Sequence, residues 1–484
     1  MGKNWPGDVD TTPKEVIEQL KAQIGVDKSF DLIARVVKIG ERESCMFFID
    51  GFAQDDIMFK LLQHLQSIPK EEMPENIEDF SGQFLSYGEV ALVDNEEQMI
   101  RILFSGIPCL YVGGYDKLIA IDFRTYPARS VEEPPKDRVM RGSRDGFVET
   151  LVFNTALIRR RIRSTEFTVE LHTVGRSSKT DVAVCYMDDR VERKNLEQIK
   201  KKLRDISIDA LSMNQESLAE CLYTGKWYNP FPKFKYSERP DATAAALLEG
   251  NIVLLVDNSP AAMILPTSLF DIIEDADDYN FPPVTGSYLR ITRMLIDFFA
   301  LFLTPVFLLL MSHPEQIPGG LEFLMIKEPI HVPLLLQLLI LEFAVDGLRM
   351  AAVNTPSMLS TPLSVVAAIV LGDYTVSSGW FNEEIMLYMA FVTIANYSQA
   401  NFELGYALKF FRLLLLVLTG LFDIGGFVAG VLIAVFAIVG NKTISGHSYI
   451  YPLIPFNWSK LKKHILRVSL PESEKMSGQD NRKA

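Results

Sequence analysis

Apolar positions follow one pattern up to about residue 288 and another beyond it. In the first stretch they alternate over short runs or recur at helical spacing, with charges between them. Short apolar runs, alternating or continuous, predict strands over 30–39, 45–49, 88–93, 109–112 and 118–123, then 167–174, 180–187 and, as a buried strand, 251–256. Helical spacing predicts helices over 14–24, 55–65, 146–163 and 190–204. Pro127, Pro134 and Pro135 stand among charges and read as a linker between the two groups. Beyond residue 288 the runs lengthen. Two of them, 294–311 and 413–440, hold one charge each, Asp297 and Asp423. A membrane-spanning helix needs about 20 apolar residues, so the first run is about long enough and the second is longer. Helices are expected near 291–311, 331–350, 362–379, 384–399, 404–420 and 424–440, with 321–326 as an interfacial segment.

The expected fold class is an α/β cytoplasmic region of two subdomains followed by an α-helical transmembrane bundle of four to six spans. Its divisions are a polar N-terminal arm (1–28), subdomains 29–135 and 136–287, a transmembrane helical domain (288–441) and a basic tail (442–484). Arg290 and Arg293 precede the first span, and Lys460, Lys462, Lys463, His464 and Arg467 follow the last. Both flanks therefore read as cytoplasmic, which requires an even number of crossings. Residues 1–13 have no apolar core, so no cleavable signal peptide is expected.

Charge and cysteine usage narrow the chemistry. A formal charge of −13 without a basic stripe argues against nucleic acid as a partner. Cys45, Cys109, Cys185 and Cys221 lie far apart with no CxxC pair, which fits a reduced cytoplasmic setting and no metal or redox use. No nucleophile elbow, zinc-protease helix or phosphate loop occurs, so neither an enzyme nor a cofactor is expected. The informative residues are charges inside the apolar half: Glu342, Asp346, Arg349, Asp373, Glu403, Lys409 and Arg412. Each costs about 2.5–3.5 kcal/mol in hydrocarbon on insertion scales, so they should face one another or water. Glu342, Asp346 and Arg349 fall on one face of a helix. That face is either an ion-pair cluster joining helices or a water-facing stripe whose carboxylates attract cations. Asp373 and Asp297 are weaker candidates of the same kind, while Asp423 beside Gly425 and Gly426 fits a helix end. Gly420, Gly425, Gly426 and Gly430 suit close helix packing. In the soluble half, Arg159, Arg160, Arg161 and Arg163 crowd one helix end. They either complement its dipole or meet anionic headgroups or a neighbouring subunit.

An ordered set of short motifs gives a family resemblance over roughly residues 30–455. In the soluble half these are Arg141-Gly142-Ser143-Arg144-Asp145-Gly146-Phe147-Val148-Glu149, Asn154, residues 157–163, Glu238-Arg239-Pro240-Asp241 and Asp277-Asp278-Tyr279. In the apolar half they are His313-Pro314-Glu315, Ile317-Pro318 and the set Glu342, Asp346, Leu348-Arg349. The chain resembles the A subunits of GerA-type spore germination proteins. It departs from nutrient-receptor members at Leu348-Arg349-Met350-Ala351, at Ser360-Thr361-Pro362-Leu363 and over 371–379. There it is most similar to the stage V sporulation protein AF branch. The resemblance implies a spore inner-membrane protein forming a homo-oligomeric ring, a pentamer, with other germination proteins and membrane lipids as partners. It further implies a channel-forming subunit for monovalent cations, lined first by Glu342, Asp346 and Arg349 and then by Asp373. A non-conducting scaffold and a secondary transporter are the rival readings. The lack of repeated halves in the apolar part weighs against the transporter.

Overall fold

The computed structural model describes residues 12–85, 89–125, 137–223, 228–356, 374–444 and 446–469, together with Val365, Ala368 and Gly372. Two compact units result. One takes the described residues up to 223 plus 234–266, and the other takes 228–233 and those from Thr267 onward.

The first unit repeats one design. After a capped helix α1 (Pro13–Ile24), its first half runs β1 (Leu32–Ile39), β2 (Arg42–Ile49), α2 (Asp55–Gln66), α3 (Ile77–Phe84), β3 (Val90–Val93), α4 (Glu96–Leu103), β4 (Cys109–Val112) and β5 (Leu118–Ile121). The second half adds α5 (Leu151–Arg161), β6 (Phe167–Val174), β7 (Thr180–Met187), α6 (Arg193–Asp205), α7 (Gln215–Leu222), β8 (Lys235–Ser237), α8 (Pro240–Leu248), β9 (Ile252–Val256) and β10 (Ala262–Leu265). The strand orders, β1-β2-β4-β5-β3 and β6-β7-β9-β10-β8, are the same arrangement twice, with antiparallel pairing throughout. Strands β4, β5, β9 and β10 are buried along their whole length, which is why they read as unbroken apolar runs. Gly40 and Glu41, both at positive φ, form the two-residue turn of the first hairpin. Burial pushes the Cys45 and Cys109 thiols up to about 12 and raises that of Cys185, so all three behave as packing groups.

The helix expected over 146–163 begins only at Leu151. The Asn154 side chain holds the Val148 N–H and C=O at 2.8 and 2.6 Å, and Asp257 accepts the Leu151 N–H at 3.2 Å, fixing an extended lead-in. The arginine cluster at its end is engaged within the unit. Arg159, wholly buried, forks onto Asp31 at 2.8 and 2.9 Å and donates to the Phe167 carbonyl at 2.8 Å. Ser29 completes the network, donating to Asp31 at 2.6 Å and accepting the Val169 N–H at 2.9 Å. These bonds join the two halves. Arg161 pairs with Asp145 at 2.8 Å and Arg163 donates to the Arg160 carbonyl.

The second unit opens with short helices α9 (Leu269–Ile273) and α10 (Asp277–Asn280) and then carries the long ones: α11 (Pro283–Ser312), α12 (Leu334–Asn354), α13 (Glu383–Tyr397) and α14 (Phe402–Val439). Pro283 at its first position starts α11 earlier than the apolar run alone suggests. By length and apolarity α11 and α14 qualify as membrane spans. α14 is broken at Asp423, at φ 54° and ψ −135°, as its neighbouring glycines suggest. Its two arms fold back on each other, since a Cβ on Gly430 would meet the Leu415 side chain at 2.7 Å. Gly426 is packed against the Leu418 carbonyl with no room for a Cβ, whereas Gly425 faces open space. Gly426→Ala should therefore cost at least the about 1–3 kcal/mol of overpacking, and Gly425→Ala should be close to neutral. Thermal unfolding of the two variants in detergent measures the difference.

Contacts fix the helix directions. Ala300 of α11 meets Arg412, and His313 at the end of α11 meets Asp423, so α11 and the first arm of α14 run in parallel. α12 runs against them, with Leu335 beside Gly420, Glu342 beside Arg412, and Arg349 beside Tyr406 and Phe402. α13 follows α12, from Asn382 beside Gln337 to Tyr397 beside Arg349. The helix expected over 362–379 lies largely outside the described residues, and the segment near 321–326 forms only a 3-10 turn, Glu322–Leu324.

A last helix, α15 (Trp458–Ile465), is fastened to the start of α11. Arg290 donates to the carbonyls of Lys463 and His464 at 2.7 and 3.2 Å and pairs with Asp278 at 3.1 Å. His464 Nδ1 lies 2.9 Å from Glu274. Burial, the largest single influence, would lower the pKa of His464, but the hydrogen bond and charge of Glu274 together with the Asp271 carboxylate turn the net shift upward. Its contribution to docking is thus full below the ordinary histidine value of about 6.5 and is lost as pH rises through the raised one. Amide exchange across 458–467 should accelerate on raising pH beyond the intrinsic rate increase, and His464→Gln should remove that extra step.

Candidate functional site: charges enclosed among apolar helices

Four charges of the apolar half, Glu342, Asp346, Lys409 and Arg412, converge where α11, α12 and the first arm of α14 meet. Glu342, on α12, is 1% exposed. Arg412 donates to both its carboxylate oxygens, at 2.6 and 2.9 Å, and to the Ala300 carbonyl of α11 at 2.6 Å. Lys409, one turn before Arg412, reaches Glu342 at 3.3 Å and Asp346 at 2.6 Å. Two carboxylates are thereby matched by two cations, and three helices are tied through one cluster. Every member has an opposite charge, as ions removed from water require.

The cluster is asymmetric. Glu342 is closed off, whereas the Asp346 side chain keeps 31% exposure. Arg349, one turn further along α12, is not the partner of Glu342. Its guanidinium lies 5.0 Å from the rings of Phe402 and Tyr406 and 5.7 Å from that of Tyr397. That aromatic cage holds a cation by cation–π attraction. A cleft beside it is lined by Asp346, Arg349, Lys409, Tyr397, Phe402 and Tyr406. Asp373 lies outside the described residues. Asp297 lies apart from the cluster, on α11, in a small cavity with Arg293, Gln399 and Asn401. Asp423, at the hairpin tip, meets His313 at 2.6 Å. Among the described residues no group of three or more His, Cys, Asp or Glu side chains is placed to hold a metal ion.

Lys409 and Arg412 are visible in the sequence as cations in an apolar run, but their assignment to Glu342 is not. Glu342 and Arg412 are 70 positions apart, and no local spacing links them. Gln337 was missed altogether. Fully buried, it accepts the Asn382 N–H at 3.0 Å and donates to the Asn382 side chain at 2.9 Å, joining α12 to α13.

A two-part α/β unit together with apolar helices that enclose paired charges defines a membrane-associated protein. The chain belongs to the Bacillus/Clostridium GerA spore germination protein family, whose family model matches residues 18–478. It is 33% identical over 460 residues to stage V sporulation protein AF of Bacillus subtilis (strain 168), covering 95% of this chain and 93% of that protein. This relative represents the branch to which the motif departures point. Spore germination protein KA of the same organism is 26% identical over 468 residues, covering 95% and 85%. The crystal structure of the N-terminal domain of the A subunit of the Bacillus megaterium spore germinant receptor GerK3 aligns with 53% of this chain and 94% of its own, at 28% identity and a TM-score of 0.41.

Proposed function

We propose that the chain is a membrane subunit of the spore germination apparatus whose helical units assemble as a ring, a pentamer, around a path for monovalent cations. The α/β unit lies on the cytoplasmic side of the spore inner membrane and couples to that path. The observation that carries the reading is the partly exposed Asp346, paired with Lys409 and sharing a cleft with Arg349 at the open edge of the cluster. A partly exposed carboxylate among apolar helices calls for water or another chain against it. A single copy has too few polar faces to enclose water, so closure needs cyclic symmetry. On this reading Asp346, Arg349 and Asp373 line the path, and Glu342 is reassigned to holding α12 against α14. On the same reading α12 and α13, which run the same way, belong to an even number of crossings, four to six.

The enclosure of Glu342 also favours a second reading, a non-conducting scaffold in which the charges only join helices. Native mass spectrometry in mild detergent tests assembly. The expected mass is five times the 54.6 kDa chain, and a monomer that retains function in spores would contradict the ring.

A further inference from the structure

The segment between the hairpin and α15 presents aromatic and basic side chains together. Leu453, Ile454, Phe456 and Trp458 are 45%, 51%, 66% and 63% exposed. The rings of Phe456 and Trp458 stack with centroids 6.3 Å apart. Lys460 Nζ stands 5.3 Å from the Tyr451 ring, and Lys462 is exposed on the same helix. Their position says what they meet. α15 is held against the first turns of α11 through Arg290 and through the Arg467 N–H, which donates to Ser287 at 3.0 Å. The same end of α11 exposes Val284 and Tyr288, just before its apolar run begins. Aromatic side chains flanked by lysines, held at the entrance of a spanning helix, match the headgroup level of a bilayer. An aromatic surface alone would suit another protein equally well. The adjoining cations select an anionic surface.

We infer that residues 453–462 form an interfacial anchor that docks on anionic phospholipid, with the aromatic side chains at the headgroup–acyl boundary and Lys460 and Lys462 facing lipid phosphates. The anchor would fix the height and tilt of α11 in the membrane through Arg290. The test uses full-length protein in phosphatidylcholine nanodiscs containing a minor fraction of brominated phosphatidylglycerol or brominated phosphatidylcholine. The Trp458 signal is the difference between wild type and Trp458→Phe. The expected result is quenching by both lipids. The anionic one should be locally enriched about fivefold per lysine at low salt, and the preference should be lost in Lys460→Gln/Lys462→Gln with unchanged thermal unfolding. Equal quenching by the two lipids in wild type would overturn the selectivity. Absence of quenching by either would overturn the anchor and assign the segment to a second copy or another protein.

Discussion

Arg412→Gln should leave a protein that accumulates poorly in membranes. The substitution strips Glu342 of the guanidinium bonded to both its oxygens and leaves only Lys409, at 3.3 Å. Removing one partner of a buried ion pair costs about 3–5 kcal/mol, because the other charge stays in the interior uncompensated. For a unit of this size that lowers the unfolding temperature by about 10 °C. Glu342→Gln should cost a similar amount for the converse reason. The double change Glu342→Gln with Arg412→Gln should recover most of the loss, because two amides can bond one another and Lys409 keeps Asp346. Asp346→Asn should be far milder, since its side chain is partly open to solvent. Thermal unfolding in detergent measures all four. Glu342→Gln behaving as wild type would remove the helix-joining role.

Arg159→Ala should produce the largest loss in the α/β unit. Arg159 and Asp31 have side chains 0% and 1% exposed, and the guanidinium also lies 4.3 Å from the Phe167 ring. Its removal strands the Asp31 carboxylate with Ser29 alone, again at about 3–5 kcal/mol. Arg159→Lys should recover only part, because an ammonium cannot fork onto both carboxylate oxygens and the Phe167 carbonyl at once. Limited proteolysis of the full chain should show early cutting where the two halves meet. Resistance equal to wild type would show that other contacts hold the halves together.

What the sequence discloses depends on how far apart the interacting residues lie. The hairpins β1–β2 and β6–β7 and the helix α2 are written in local periodicity, and the helix break at Asp423 in the glycines that follow it. Helix α8, with the sequence Pro-Asp-Ala-Thr-Ala-Ala-Ala-Leu-Leu, has no such contrast, because alanines are as acceptable on one face as the other. Helix α4 did leave a sign, Asn95 accepting the Gln98 N–H at 2.8 Å, but the helix is too short for its period to stand out. The twofold design of the α/β unit is carried by strand order, which no stretch of sequence displays. For the site, the anomalous charges were legible because the apolar background makes them costly. Their pairing was not: Glu342 meets Arg412 and Lys409, while Arg349, on its own helix face, goes to three aromatic rings.

Conduction by the proposed ring is tested most directly by ion flux through purified, full-length protein reconstituted in planar bilayers. Discrete cation-selective current steps are expected from rings of verified mass, with preference for potassium over chloride falling in Asp346→Asn although the ring still forms. Rings of correct mass that pass no current, in protein whose α/β unit is intact, would contradict it and leave the scaffold reading in its place.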